Sequence, residues 1–336
     1  WFDNQIMEKI CEEDEDFLEP LDGFTHFANT TSKYAFTDMS LVYLLTGVEW
    51  EYDQLESEYA VRANEKSDFL EQIAAHDYSI NIYTEGTYIG QAERSIVENG
   101  IQIERKIDIT KQSTLMEKIA RYKTSPFFFK EMFLYTDNDI WDMIKVKGEG
   151  VAHTIYNDKP FADVFHEEGI LLTDEKEGMY KLYHLHGAHA PYNMNEQYEK
   201  VESDIFTQAK GSMRIVLEFI EELKNNGLYE DATIIITADH GQNYFDRPKM
   251  AEELDLELIS SPIMLVKESG SYGTELKISE APVSHEEVLP TILKAITGDA
   301  QGYGKTFDEA GGQEDRVRGF IYGRHDDIPF VKYTIT

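Results

Sequence analysis

Asp239 and His240, adjacent side chains that can each bind a metal, follow a short β-branched run, Thr233-Ile234-Ile235-Ile236. A run this short and this rich in strand formers reads as a strand, and its unbroken apolar character suits one covered on both faces. Open α/β sheets hold ligands at the carboxyl ends of such strands, where Thr237, Asp239, His240 and Gly241 fall. A carboxylate beside an imidazole there can share a divalent cation. A capping Asp and a surface His in an ordinary βα loop have the same sequence, so the pair alone decides nothing.

A hydroxyl with a comparable double reading is Thr37. Residues 38–46 read as a helix, with Leu41, Leu44 and Leu45 on the buried face and Gly47 as its stop. Thr37 is then the N-cap that meets the free N–H groups of the first turn. The positive end of a helix also favours an alkoxide or a bound phosphoryl group, and a coordinated metal ion would activate the oxygen as a nucleophile. A third cluster, His184, His186 and His189, follows the strand-like 178–183. Beside Gly187 and Pro191 it marks a loop suited to an anion or a metal.

The elements that must hold these residues follow from periodicity. Residues 4–18 form an acidic amphipathic helix with Ile6, Ile10 and Phe17 inward, then a turn at 21–24 and a short strand to Phe27. Residues 68–75 are helical, and 78–83 alternate in the strand period. Between 91 and 165 lie several helical segments, whose Phe127-Phe128-Phe129 and Met132-Phe133 read as core packing. Ile205, Ala209, Met213, Val216, Ile220 and Leu223 recur at helical spacing. That helix delivers the chain to the 233–236 strand as a right-handed crossover in a parallel sheet. Further on come a strand at 261–266 and a helix near 284–293, opened by a Ser284/Glu287 capping box and kinked or restarted at Pro290. A last strand covers 320–322.

Composition sets outer limits. The 336 residues are 41% hydrophobic and 12% aromatic, which is a globular balance with room for a large core. The 31 basic against 64 acidic residues give a net charge of −33. Nucleic-acid binding needs a basic footprint and is excluded, as is a surface held to anionic lipid by net charge alone. One cysteine, Cys11, rules out an intrachain disulfide or a Cys-based zinc cluster, and its acidic neighbours disfavour a nucleophilic thiolate. No apolar run approaches the length of a membrane span.

Taken together, Thr37-Asp38-Met39-Ser40 with Leu44-Leu45-Thr46-Gly47, His186-Gly187-Ala188-His189-Ala190-Pro191-Tyr192, Thr237-Ala238-Asp239-His240-Gly241, and Ser284-His285 with Pro290-Thr291 resemble the sulfatase-like branch of the alkaline phosphatase superfamily. The resemblance is greatest to lipoteichoic-acid-synthase-type phosphoglycerol and phosphoethanolamine transferases. It implies an α/β fold, with a mostly parallel central sheet, helices on both faces and a small C-terminal α+β lobe. The main catalytic domain would be residues 1–246 and the C-terminal portion 247–336.

The same resemblance implies roles. Asp239 and His240 match paired metal ligands, and Thr37 matches a nucleophile that also ligates the metal. His189 matches a residue on the substrate phosphate or leaving oxygen, with His186 and His285 as supporting substrate-binding residues. Family members add an acidic ligand from a first strand. That ligand is expected upstream of Trp1, with Asp3 the only early candidate here. Two-zinc phosphodiesterases carry Asp four residues before the loop histidine, where this chain has Leu185. One divalent ion is therefore implied, Mn²⁺ foremost and Mg²⁺ or Zn²⁺ as alternatives. Sulfatases proper oxidise a Cys or Ser to formylglycine, which Thr37 cannot become.

The implied reaction is transfer of phosphoglycerol or phosphoethanolamine from a phospholipid headgroup to an envelope polymer, lipid or glycan. The implied location is the outer side of a bacterial cell membrane, extracellular or periplasmic, with the membrane reached through an upstream anchor. A phosphodiesterase or phosphatase of the same superfamily uses the same residues. A non-catalytic binding module is a third alternative.

Overall fold

The computed structural model describes residues 1–50, 56–84, 96–99, 104–107, 109–135, 144–147, 157–172, 176–241, 259–300, 302–312, 316–324 and 328–335. The chain divides into two compact units, Trp1–Asn99 with Thr154–Thr336, and Gly100–His153. A strand from beyond residue 247 is inserted into the main sheet.

That sheet has four strands, in the order β7 (Ile234–Thr237), β8 (Met264–Lys267), β1 (Thr25–Phe27), β9 (Lys277–Ser279). β8 runs antiparallel to both β7 and β1, with Ile236 opposite Leu265 and Thr25 opposite Val266. β1 and β9 are parallel. Every residue of β8 is buried, so its apolar Met264-Leu265-Val266 run is the strand covered on both faces. β7 is half-buried along its length, contrary to the sequence expectation.

A second pair, β3 (Tyr78–Tyr83) and β6 (Gly178–Tyr183), is parallel and in register from Tyr78 opposite Gly178 to Tyr83 opposite Tyr183. β2 (Thr30–Thr31) pairs in parallel with β10 (Val283–Ser284). β11 (Arg318–Arg324) and β12 (Ile328–Ile335) pair antiparallel. The class is α/β, and the pairing mixes parallel and antiparallel strands across several small sheets. The helix Ile205–Asn225 joins β6 to β7, which lie in different sheets, so the single-sheet crossover read from the sequence is not formed.

Helix α1 (Asn4–Glu13) is shorter than its acidic pattern predicts, because Asp14 leaves the helical region. Its Ile6, Met7 and Ile10 pack on Ala209, Met213 and Ile220 of the Ile205–Asn225 helix, with Ile263 and Leu265 beneath. Cys11 is half-buried on α1, and burial, then Asp14 and Glu8, raise its thiol pKa.

Helix α2 (Thr37–Thr46) departs most from its sequence reading. Residues Met39 to Thr46 are all buried, so the helix has no solvent face. It enters three separate cores. Met39, Val42 and Tyr43 join Tyr34, Trp50 and Tyr59; Leu45 joins Phe69 and Ile80; Leu44 joins Met264, Val283 and Phe307. Gly47 ends it at φ 70°, a left-handed conformation that glycine adopts without steric cost.

The capping box predicted at Ser284 and Glu287 is present. A 3₁₀ turn, His285–Glu287, precedes the helix Val288–Thr297, and Pro290 falls in that helix's first turn, where no N–H is missed. The chain restarts there and does not kink.

Candidate active site

The sequence reading of Thr37 as an N-cap fails. Phe36 is the capping residue and offers no side-chain hydrogen bond, while Thr37 is the first helical residue. Its hydroxyl turns away from the helix and donates to Asp239 Oδ2 at 2.5 Å, with His240 Nε2 3.5 Å from the same oxygen. The two partners lie more than 200 positions further along the chain, at the end of β7. Asp239 is 9% and His240 1% exposed.

Backbone contacts orient this pair. The His240 N–H donates to Asp239 Oδ1 at 3.0 Å. The His240 Nδ1–H donates to the Gly241 carbonyl at 2.7 Å, which leaves Nε2 with its lone pair toward Thr37 and Asp239. Burial pushes the imidazole pKa down to about 4 against the pull of Asp239, so the ring is neutral near pH 7. Burial alone would raise the Asp239 carboxyl. The His240 ring, His184 and the Thr37 hydroxyl act against it and hold the carboxyl well below the usual range.

Thr37 Oγ1, Asp239 Oδ2 and His240 Nε2 thus lie within 3.5 Å of one another. Hydroxyl, carboxylate and a neutral imidazole anchored through its other nitrogen have the donor chemistry of a divalent-cation site. Among the described residues no group of three or more His, Cys, Asp or Glu side chains is placed to hold a metal ion. The converging set contains one carboxylate, and the structure does not add Asp3 to it. Asp3 caps α1, accepting from the Ile6 N–H at 2.9 Å, and pairs through its backbone with Pro262.

The histidine loop approaches from the end of β6. His189 lies against the Trp1 indole, ring centroids 3.9 Å apart, and the same indole lies 6.0 Å from the His240 ring. Trp1 therefore links the loop to the Asp239–His240 pair. His189 Nδ1 donates to the neighbouring Ala190 carbonyl, and its ring is 4.9 Å from that of His186. His186 Nε2 is buried without a hydrogen-bond partner among the described residues, and burial lowers that ring's pKa to about 4. His184 Nδ1 meets Thr84 Oγ1 at 3.1 Å.

Two residues with no sequence signal hold this loop. Asp158, 1% exposed, accepts from the backbone N–H groups of His186 and Gly187 at 2.6 and 2.9 Å and from Ser212 Oγ at 2.6 Å. Gln208, fully buried, donates to the carbonyls of Gly187 and His189 and accepts from the Asn193 N–H. A Cβ at Gly211 would meet the Asn195 carbonyl oxygen at 2.7 Å, so glycine there lets the loop reach the helix. Asp158 and Gln208 belong to no motif. An Asp before a helix and a Gln within one are ordinary, and only the fold turns both toward the loop.

His285 lies behind the site, not in it. It is fully buried, its Nε2–H donates to the Ala238 carbonyl at 3.0 Å, and its Nδ1 accepts from the Lys33 N–H at 3.4 Å. Both nitrogens are satisfied by backbone, which is a supporting arrangement. It ties the turn after β10 to the residue before Asp239.

With this geometry in view, known proteins can be compared. The sulfatase family profile matches residues 22–298, and the chain belongs to that family. It carries the fold of the sulfatase-like branch of the alkaline phosphatase superfamily. No curated protein matches the chain in sequence. A solved alkaline phosphatase superfamily protein from Vibrio parahaemolyticus is 12% identical, with a TM-score of 0.51, covering all of this chain and 80% of its own. The lipoteichoic acid synthase LtaP from Listeria monocytogenes is 10% identical, TM-score 0.51, over 88% of this chain and 69% of its own. The C-terminal periplasmic domain of EptC from Escherichia coli is 12% identical, TM-score 0.51, over 98% and 85%. At these identities the likeness is one of fold.

Proposed function

We propose that this chain is a phosphoryl-group transferase in which Thr37 is the nucleophile, moving phosphoglycerol or phosphoethanolamine from a phospholipid to an envelope polymer, lipid or glycan. The observation that carries the reading is the Thr37 hydroxyl, which leaves its helix end unserved and is directed at Asp239 and His240. A hydroxyl kept only for stability would cap the helix. Thr37, Asp239 and His240 would hold a divalent ion, Mn²⁺ first with Mg²⁺ or Zn²⁺ as alternatives, which when bound lowers the hydroxyl pKa and offsets charge on phosphoryl oxygens.

In the first half-reaction Thr37 Oγ, its proton already released to solvent, bonds as the alkoxide to phosphorus while the bond from phosphorus to the diacylglycerol oxygen breaks. His189 gives that oxygen its proton. In the second, an acceptor hydroxyl attacks the Thr37 ester, His189 takes the hydroxyl's proton, and Thr37 is returned as the alkoxide. The Trp1 indole holds the His189 ring in place for both steps. The two envelope neighbours, a lipoteichoic acid synthase and a periplasmic domain, support a catalytic domain on the outer side of a bacterial membrane. No helix among the described residues is long and apolar enough to cross a membrane.

Membership of the sulfatase family favours a second reading, a phosphodiesterase in which water replaces the acceptor hydroxyl. Formylglycine chemistry has no residue here, since Thr37 occupies the nucleophile position and Cys11 is on α1. The test is Thr37→Ala with Mn²⁺ and a phosphatidylglycerol donor. Retained Mn²⁺ binding with turnover lost by at least about 10³-fold is expected. Unchanged turnover would overturn the assignment, and headgroup released without any acceptor would assign the hydrolase.

A further inference from the structure

The unit Gly100–His153 contains a surface unlike the rest of the molecule. Helix Ile109–Thr124 is followed by a 3₁₀ turn, Phe127–Phe133. The sequence places Phe127-Phe128-Phe129 and Met132 in a core, and the structure does the opposite. Phe127 is 82% and Phe128 90% exposed, with Phe129, Met132 and Leu134 also exposed. No residue of the 3₁₀ turn is buried. Contiguous apolar side chains at this exposure mark an interaction surface.

Charge identifies what that surface meets. Residues 109–135 carry five basic residues, Lys111, Lys118, Arg121, Lys123 and Lys130, against Glu117 and Glu131, a net of +3. The remaining chain holds 26 basic against 62 acidic residues, a net of −36. The basic groups are interleaved with the rings. Lys130 Nζ lies 5.2 Å from the Tyr122 ring centroid, and the Arg121 guanidinium 5.8 Å from that of Phe133. Exposed Phe and Met flanked by Lys and Arg are the composition of elements that lie in the headgroup region of an anionic bilayer.

We propose that residues 109–135 form a membrane-interface docking element. Phe127, Phe128 and Met132 enter the boundary between headgroups and acyl chains, and Lys123 and Lys130 meet lipid phosphates. The inference is independent of the reaction proposed above. It needs only a lipid surface, and it holds whichever phosphoester the site handles.

Co-sedimentation of the full chain with vesicles tests it, comparing phosphatidylcholine alone with phosphatidylcholine containing phosphatidylglycerol. A chain with net charge −33 is repelled by anionic vesicles as a whole, so binding them at all isolates a local basic element. The expected result is binding to the phosphatidylglycerol vesicles, weakened by added salt, and little binding to phosphatidylcholine. F127S/F128S should weaken that binding by about tenfold or more with an unchanged circular dichroism spectrum, since both rings are exposed. K123E/K130E should abolish the preference for anionic lipid. Failure of the wild type to bind anionic vesicles, or equal binding by F127S/F128S, would overturn the proposal. So would a dimer that dissociates in F127S/F128S with vesicle binding intact, because a second copy would then cover the face.

Discussion

Thr37 and Asp239 form the tightest coupling in the site, and what surrounds them decides how each behaves. A buried carboxylate without donors is costly, by several kcal/mol. Asp239 receives the Thr37 hydroxyl and the His240 backbone N–H. His285 contributes from beneath, and its titration gives a test of stability that does not depend on turnover. Its pKa falls from an ordinary 6.5 to about 4, burial being the main cause. The unfolded chain therefore takes up this proton as pH drops below 6.5, while the folded chain refuses it until about 4. Stability from this group is full above pH 6.5 and drains away toward pH 4, with a slope near 1.4 kcal/mol per pH unit. Denaturant melts across that window should display the loss. His285→Gln, which cannot titrate, should reduce the slope by its own share while His186 and His240 keep theirs, and an unchanged slope would remove His285 as a source. Asp239, His240 and Thr37 were legible in the sequence because residue type, order and the end of an apolar run coincide. The N-cap reading of Thr37 failed because helix geometry allows either use of the hydroxyl, and only a partner 202 positions away decides between them.

At the level of elements, the histidine loop is held from outside itself. Asp158 precedes the helix Lys159–Glu168 and reaches both the loop and Ser212, so one carboxylate joins three segments. Asp158→Asn replaces an acceptor with an NH₂ group facing N–H and O–H donors. The expected cost is about 1–3 kcal/mol in stability. With His186 and His189 no longer held, kcat should fall while Mn²⁺ affinity stays near wild type. A loss of metal binding equal to the loss of kcat would show that Asp158 acts on the Asp239–His240 pair instead. Strands 78–83 and 178–183 were read at their observed bounds, since each is a compact run with clear edges. Pairing was not readable. Insertion of β8 between β7 and β1 depends on contacts between segments far apart in sequence, and β-branched runs do not state their partners. Phe127 to Phe129 misled for a related reason. Apolar composition says that a residue avoids water, not that its own chain provides the shelter.

The whole molecule is dominated by its charge of −33. Two electrostatic effects oppose each other in salt. Exposed ion pairs such as Arg121–Glu117 and Lys176–Asp77 weaken as they are screened, each worth about 0–1 kcal/mol. Self-repulsion among the excess carboxylates is screened as well, which favours the compact state. With more than twice as many acidic as basic residues, repulsion should win. Thermal melts in sodium chloride should therefore show Tm rising as the Debye length shrinks from about 10 Å at 0.1 M to about 3 Å at 1 M. A flat or falling Tm would mean that the pairs carry more than their exposure allows.

Helix α2 enters three cores at once, and that has a consequence for how activity is acquired. Tyr34 and Trp50, Phe69 and Ile80, and Met264 and Phe307 must all be in place before its eight buried residues are covered. Its first residue then has to find a carboxylate 202 positions away. Contacts of such separation are made slowly, because loop closure is paid before they return any energy. The Thr37 hydroxyl is thus brought to Asp239 only by the completion of folding, and a chain halted partway lacks that contact.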